Sequence, residues 1–338
     1  MKEKIVTFGE IMLRLTPPEY SKINQAVSFN ANYGGGEANV AVSLSHLGHN
    51  TTFLTKLPPL ELGDSAIQHL RSHGVDTSYI VRGSTTLGIY FLETGFGGRP
   101  SKVIYNRKHS AITRVRPEEF DMDEIFKDAT WFHVSGISLA LGENVRNTVL
   151  ACLEACKKYN VKVSFDFNYR AKLWTIDEAK PWYKKVMPYV DVVFASYFDA
   201  NTILGFEPDA GLDDEVSRCH NVFQQVIEKY NVKYVFGTKR LIHTANENSL
   251  SAYYFTNVLK HHTENIRFNI YDRIGGGDAF ASGVIHGLLK NYDDPEYACR
   301  FGLVTSVLKH TIYGDVCILS EQDILDYIRT SGIQSVDR

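Results

Sequence analysis

Short apolar runs alternate along most of the chain with longer stretches in which apolar residues recur every three or four positions. Short runs bounded by glycine or polar residues predict buried strands, and the longer periodic stretches predict amphipathic helices. Strands are expected at 4–9, 51–55, 131–134, 161–166, 190–195 and 233–237. Helices are expected at 37–47, 64–73, 143–159, 176–187, 213–230, 277–289 and 295–309, with Gly48 and Gly74 ending the first two. Strands and helices in this rhythm predict βαβ units. The fold class expected is therefore α/β: a doubly wound, mostly parallel sheet with helices on both faces.

Four segments depart from the rhythm. Residues 12–15, 27–33, 89–92 and 102–105 are rich in β-forming residues, and Gly95-Phe96-Gly97-Gly98 joins the last two as a hairpin. They predict a small accessory sheet, a lid made from two separated pieces, 12–33 and 86–112. The core would then comprise 1–11, 34–85 and 113–338. Residues 242–269 look β-rich and irregular. No internal repeat or low-complexity run is present.

Composition narrows the function classes. The chain has 338 residues, 44% hydrophobic and 22% charged, with a formal net charge of −3. That length suits one large domain with an appendage. The near-neutral balance argues against a nucleic-acid partner. No stretch approaches the roughly 18 apolar residues of a membrane helix, so no membrane association is expected. The first apolar run is interrupted by Glu10 and Arg14 and does not resemble a signal peptide. Five cysteines without a CxxC pair fit a reducing compartment, so a cytoplasmic location is expected. Cys152 and Cys156, four apart, read as small buried residues. His69 and His73 share metal-ligand spacing, but HLRSH lacks the glutamate of HExxH and reads as a solvated or half-buried pair.

The segment richest in chemistry is Asp272-Arg273-Ile274-Gly275-Gly276-Gly277-Asp278-Ala279-Phe280. Glycines let backbone amides approach an oxyanion closely, and a helix start aims unpaired N–H groups the same way. Asp278 at the edge of such a cradle could take a hydroxyl proton, and the helix dipole would favour its ionised form. The bland alternative is a glycine turn with an aspartate N-cap. The chain lacks GxxxxGK[ST], and no GxGxxG opens a helix after a strand.

DRIGGGDAFASG resembles the C-terminal motif of the ribokinase-like (PfkB) carbohydrate kinases, and residues 34–48, beginning Gly-Gly-Gly-Glu-Ala-Asn-Val-Ala, resemble the N-terminal one. The motifs stand in the family's order, and the resemblance runs from about Lys4 to Asp315. Within the family the chain is most similar to 2-keto-3-deoxygluconate kinases. The residues behind this are 8–15, Tyr105 with Arg107, Asp166-Phe167-Asn168-Tyr169-Arg170 with Leu173-Trp174, and 308–311. A sugar acid carries a carboxylate that arginine can bind with its fork of donors, which independently favours arginines in the site.

The resemblance implies a doubly wound domain with a β-sheet lid, and transfer of phosphate from ATP, with Mg2+, to the terminal hydroxyl of the sugar acid. It leaves a monovalent-cation requirement open. It implies Asp278 as base and the amides of Gly275, Gly276 and Gly277 as anion hole. Gly34, Gly35, Tyr90, Tyr105, Arg107, Arg170 and Asp278 fall on the sugar side. Ser196, Thr238, Lys239, Gly275 and Gly277 fall on the nucleotide side. Asp166 and Asp199 are the candidate magnesium ligands, with Asn168 nearby. An open lid edge would suit pairing into a homo-oligomer. Ser196 stands where the family commonly has asparagine, and the Thr238–Ile242 stretch lacks a later glycine. Two rivals follow: a kinase of a neutral sugar or nucleoside, and a sugar-acid sensor with weakened ATP use.

Overall fold

The computed structural model describes residues 3–212 and 214–330. The expected helix start at Asp213, and the ends of the expected core at 1–2 and 331–338, lie outside the described residues. The strands are β1 (Lys4–Phe8), β2 (Met12–Thr16), β3 (Asn30–Gly34), β4 (Asn50–Leu54), β5 (Lys56–Leu57), β6 (Val81–Arg82), β7 (Ile89–Glu93), β8 (Lys102–Asn106), β9 (Trp131–Ser135), β10 (Lys162–Asp166), β11 (Val192–Phe194), β12 (Tyr234–Ile242), β13 (Glu247–Phe255), β14 (Lys260–His262) and β15 (Ile266–Asn269). The helices are α1 (Gly36–His46), α2 (Glu61–Ser72), α3 (Met122–Phe126), α4 (Gly136–Ala140), α5 (Glu143–Tyr159), α6 (Ile176–Val186), α7 (Glu215–Tyr230), α8 (Gly276–Lys290), α9 (Pro295–Lys309) and α10 (Glu321–Thr330).

The main sheet runs β4-β1-β9-β10-β11-β12-β13-β14, with β15 also on β13. It is parallel from β4 to β12, and the irregular stretch after 242 closes it with antiparallel strands. Strand residues alternate between two cores. Val6, Phe132, Val163 and Val193 pack with α5, α6 and α7 on one face, and Ile5, Trp131, Val192 and Phe236 with α1, α8 and α9 on the other. Burial on both faces explains why these strands read as unbroken apolar runs. All five cysteines are free, and those at 152, 156, 299 and 317 are buried. No helix among the described residues is long and apolar enough to cross a membrane.

The chain pairs β4 on one side of β1 and then returns to place β9 on the other. Such a switch opens a crevice beyond the carboxyl ends of the strands. Over it lies a separate four-stranded sheet, β3-β2-β7-β8. Its pairing sets Asn32, Arg14, Tyr90 and Tyr105 in one row across all four strands. The β7–β8 turn is fastened to the main domain. Gly97 N–H donates to Asn246 Oδ1 at 2.7 Å, and Ala245 N–H donates to the Gly97 carbonyl at 2.8 Å.

Candidate functional site

Gly275 adopts φ +80° and caps α8, so Asp278 is the third residue of that helix rather than its cap. The aspartate-cap alternative therefore fails. Asp278 Oδ2 instead accepts from Asn39 Nδ2 at 2.7 Å, and Asn39 Oδ1 accepts from Gly35 N–H at 3.2 Å. One asparagine in α1 thus joins the two glycine motifs, about 240 residues apart in sequence. A Cβ on Gly275 would meet the Asp315 carbonyl at 1.8 Å, whereas nothing stands within 4 Å of one on Gly277. The loop is tight behind and open in front, as an amide cradle must be.

Gly34 and Gly35 also permit close approach, but to protein. A Cβ on Gly34 would strike Asp315 Oδ2 at 2.2 Å, and one on Gly35 the Glu10 carbonyl at 1.8 Å. These contacts lock the start of α1 beside the crevice.

A cavity of about 350 Å³ opens beside this cradle. Asp166, Arg170, Ser196, Asp199, Thr238 and Gly277 line it, all named from sequence, and they arrive from the carboxyl ends of β10 and β11 and the loops after them, the middle of β12 and the start of α8. Asn168 takes φ +39°, which turns the chain after β10 and lets its amide donate to Asp166 Oδ2 at 3.1 Å. Ser196, shorter than asparagine, ties Asp199 instead: its N–H and Oγ both donate to Asp199 Oδ2 at 2.7 Å. In the same motif Tyr169 and Trp174 serve packing, with Tyr169 Oη donating to the Trp174 carbonyl at 3.0 Å.

Carboxylates crowd this crevice. Burial, with Asp278 and Asp199 adding repulsion, pushes Asp166 up to about 8, and Arg170 only partly offsets it. Burial likewise pushes Asp278 up to about 6 against the Asn39 hydrogen bond, which still leaves it mainly ionised near neutral pH. Glu37 is buried at the switch point and is shifted upward by desolvation, although Ser135 N–H, Ser135 Oγ and Ser138 Oγ all donate to its Oε1. The fold favours neutral Asp166, so its contribution to stability is complete at acid pH and is lost progressively from about pH 4 to about pH 8. Asp166→Asn should therefore gain thermal stability over the unmodified protein as pH rises from 5 to 8, by at least about 2 °C. A difference in Tm that stays flat with pH contradicts this.

Tyr90, Tyr105 and Arg107 are held in a polar row. Tyr90 Oη donates to Asp315 Oδ2, and the Tyr90 and Tyr105 rings lie 5.8 Å apart. Arg107 is not at the surface: it is buried against Glu10, which also accepts from Ser110, and it lies over the Tyr105 ring. Lys239 stays out of the cavity. Strand alternation turns it away from Thr238, and its ammonium pairs with Glu215 at 3.0 Å. His69 and His73 sit with His46, whose Nε2 is 3.0 Å from His73 Nδ1. Among the described residues no group of three or more His, Cys, Asp or Glu could hold a metal ion alone.

Sequence reasoning gave no role to Arg14, Asn39 or Asp315. Arg14 Nη1 donates to Asp315 Oδ1 at 2.8 Å and Nη2 to Asp272 Oδ2 at 2.7 Å, both carboxylates being buried. Burial opposes the guanidinium charge, but Asp315 and Asp272 together raise its pKa above the ordinary arginine value. The signal was available: a charge inside the apolar run 11–15 must be either exposed or paired.

The pfkB family of carbohydrate kinases matches residues 2–316. A Haloferax volcanii protein named 2-dehydro-3-deoxygalactonokinase is 32% identical over 339 residues and covers both chains fully. The 2-dehydro-3-deoxygluconokinase of Bacillus subtilis is 28% identical, over 86% of this chain and 84% of its own. The crystal structure of 2-dehydro-3-deoxygluconokinase from Thermotoga maritima superposes with a TM-score of 0.91 at 43% identity, covering 96% of this chain and 98% of that one. Two glycine motifs joined through Asn39 and Asp278, at the switch point of a doubly wound sheet, thus sit in a chain matched over nearly its whole length: this protein belongs to the pfkB family of carbohydrate kinases.

Proposed function

We propose that the protein transfers the γ-phosphoryl group of ATP to the terminal hydroxyl of 2-keto-3-deoxygluconate. The observation that carries this is the pairing of a carboxylate, Asp278, with an amide cradle, beside a cavity that Arg170 lines. Relatives named for the gluco and galacto 2-keto-3-deoxy acids support the substrate class.

The sugar's hydroxyl lies against Asp278 Oδ1, since Oδ2 is committed to Asn39. Asp278 accepts the hydroxyl proton as the oxygen attacks, and the amides at 275–277 donate to the transferring group. Phosphoryl transfer asks little covalent chemistry of the protein, so positioning and charge stabilisation dominate. The small sheet acts as a lid that excludes water, with Tyr90 and Tyr105 presented to the sugar. Asp166 and Asp199 fit a magnesium ion in the family's manner: two carboxylates of raised pKa face one cavity, and magnesium commonly takes one or two carboxylates plus phosphates and water. When bound, that ion neutralises phosphate charge.

Arg170 tests the substrate class, because it is exposed and lines the cavity without a side-chain hydrogen bond or ion pair among the described residues. Arg170→Ala should lower kcat/KM for the sugar acid by roughly 10- to 100-fold, as expected for a lost charge-assisted hydrogen bond. Phosphorylation of fructose or ribose, however slow, should change little. Equal losses on acid and neutral sugars would point to a neutral-sugar kinase.

A further inference from the structure

His310, at the end of α9, fills the space between the cradle and β12. A Cβ on Gly276 would lie 2.3 Å from its Cε1, so the ring takes the place that any side chain at 276 would need. Its Nδ1 is 2.5 Å from the Ser306 carbonyl, which can only accept, so Nδ1 carries the hydrogen. Nε2 is then the ring's acceptor, and Arg240 Nη2 donates to it at 3.0 Å. Burial, with Arg240 adding repulsion, pushes His310 down to about 3. The ring is neutral and supplies geometry to Arg240 but no countercharge.

Arg240 is anomalous in this setting. Among the described residues it has no carboxylate partner, and its buried Nη1 has no hydrogen-bond partner. Its neighbour is another cation, Arg273, also without an ion pair among the described residues. A guanidinium withdrawn from water without a countercharge is costly, and a buried donor without an acceptor calls for an explanation. A ligand anion supplies both missing partners. Arg240 also shares its strand face with Thr238, a wall of the cavity, and lies across His310 from Gly276, whereas Asn39 holds Asp278 on the α1 side of the cradle.

We propose that Arg240, seated on His310 and assisted by Arg273, grips the β-phosphate of the bound nucleoside triphosphate and takes up the charge that develops on the leaving diphosphate. This rests on the kinase reading and adds a residue to its nucleotide side. In the transfer, the bond from the γ-phosphorus to the β,γ-bridging oxygen breaks and its electron pair stays on that oxygen. The sugar oxygen bonds to the γ-phosphorus and gives its proton to Asp278. Arg240 donates hydrogen bonds to the diphosphate as its negative charge grows.

Calorimetric titration of the full-length protein with ADP and with AMP tests this, in Arg240→Met and in Arg273→Met. Arg240→Met should weaken ADP binding by at least about 10-fold while AMP changes by less than about 3-fold, the scale of one charge-assisted hydrogen bond. Equal weakening of both nucleotides, or unchanged ADP binding, overturns the inference and leaves the kinase reading standing. If the unmodified protein binds neither ADP nor ATP, the kinase reading falls and this inference with it. Should Arg240→Met not fold, the exposed Arg273→Met decides: a several-fold loss of ADP over AMP supports the grip, and an unchanged ratio overturns it.

Discussion

Asp278→Asn should lower kcat by about 10²- to 10⁴-fold, the range for loss of a general base, with the affinity for the sugar acid within about 3-fold of the unmodified protein. The substitution is nearly isosteric and keeps an oxygen to accept from Asn39. Sugar binding and the cradle should survive, so the loss should fall on kcat. The pH profile gives a second readout. A base must be ionised to act, and burial holds Asp278 at about 6, so kcat/KM of the unmodified enzyme should rise with pH through that region. Near-normal turnover in Asp278→Asn would contradict the assignment, and so would a profile flat between pH 5 and 7.

Arg14→Leu should destabilise the protein by about 3–5 kcal/mol, the cost of removing one partner from a buried ion pair. The side chain is 1% exposed and its fork serves two carboxylates that form no other ion pair among the described residues, the buried Lys309 acting on them only from farther away. Leucine would leave Asp272 and Asp315 charged in the interior, lowering Tm by on the order of 10 °C. Arg14→Lys should recover only part of the loss, because one ammonium cannot reproduce a two-pronged contact. A Tm shift below about 2 °C would show that the pairs contribute little.

These residues also show what the sequence could reveal. The parallel strands were legible because each is buried on both faces, and the cradle because three glycines before an aspartate are chemically unusual. Segments 12–15 and 89–92 could be assigned to a separate sheet because they break the strand–helix rhythm. Pairing across long separations was not legible. Nothing near Asp315 in the sequence says that Arg14, 301 residues away, holds it. Lys239 drew attention as a lysine in a nucleotide-side loop, yet strand alternation turns Arg240 rather than Lys239 toward the site. Arg107 and Arg170 looked equivalent in sequence. One is buried against Glu10 and the other is open at the cavity, a difference that depends on which partner the fold brings near.

The central claim is phosphoryl transfer from ATP to a sugar acid. Incubating the protein with ATP, Mg2+ and, in turn, 2-keto-3-deoxygluconate, its galacto epimer, fructose and ribose, then following ADP and the product's phosphorus NMR spectrum, tests it most directly. The prediction is a phosphate monoester on the terminal hydroxyl of a 2-keto-3-deoxy acid, with little ADP formed from the neutral sugars. ADP release with fructose or ribose matching that with the acids, or no ester from any of the four, would contradict it.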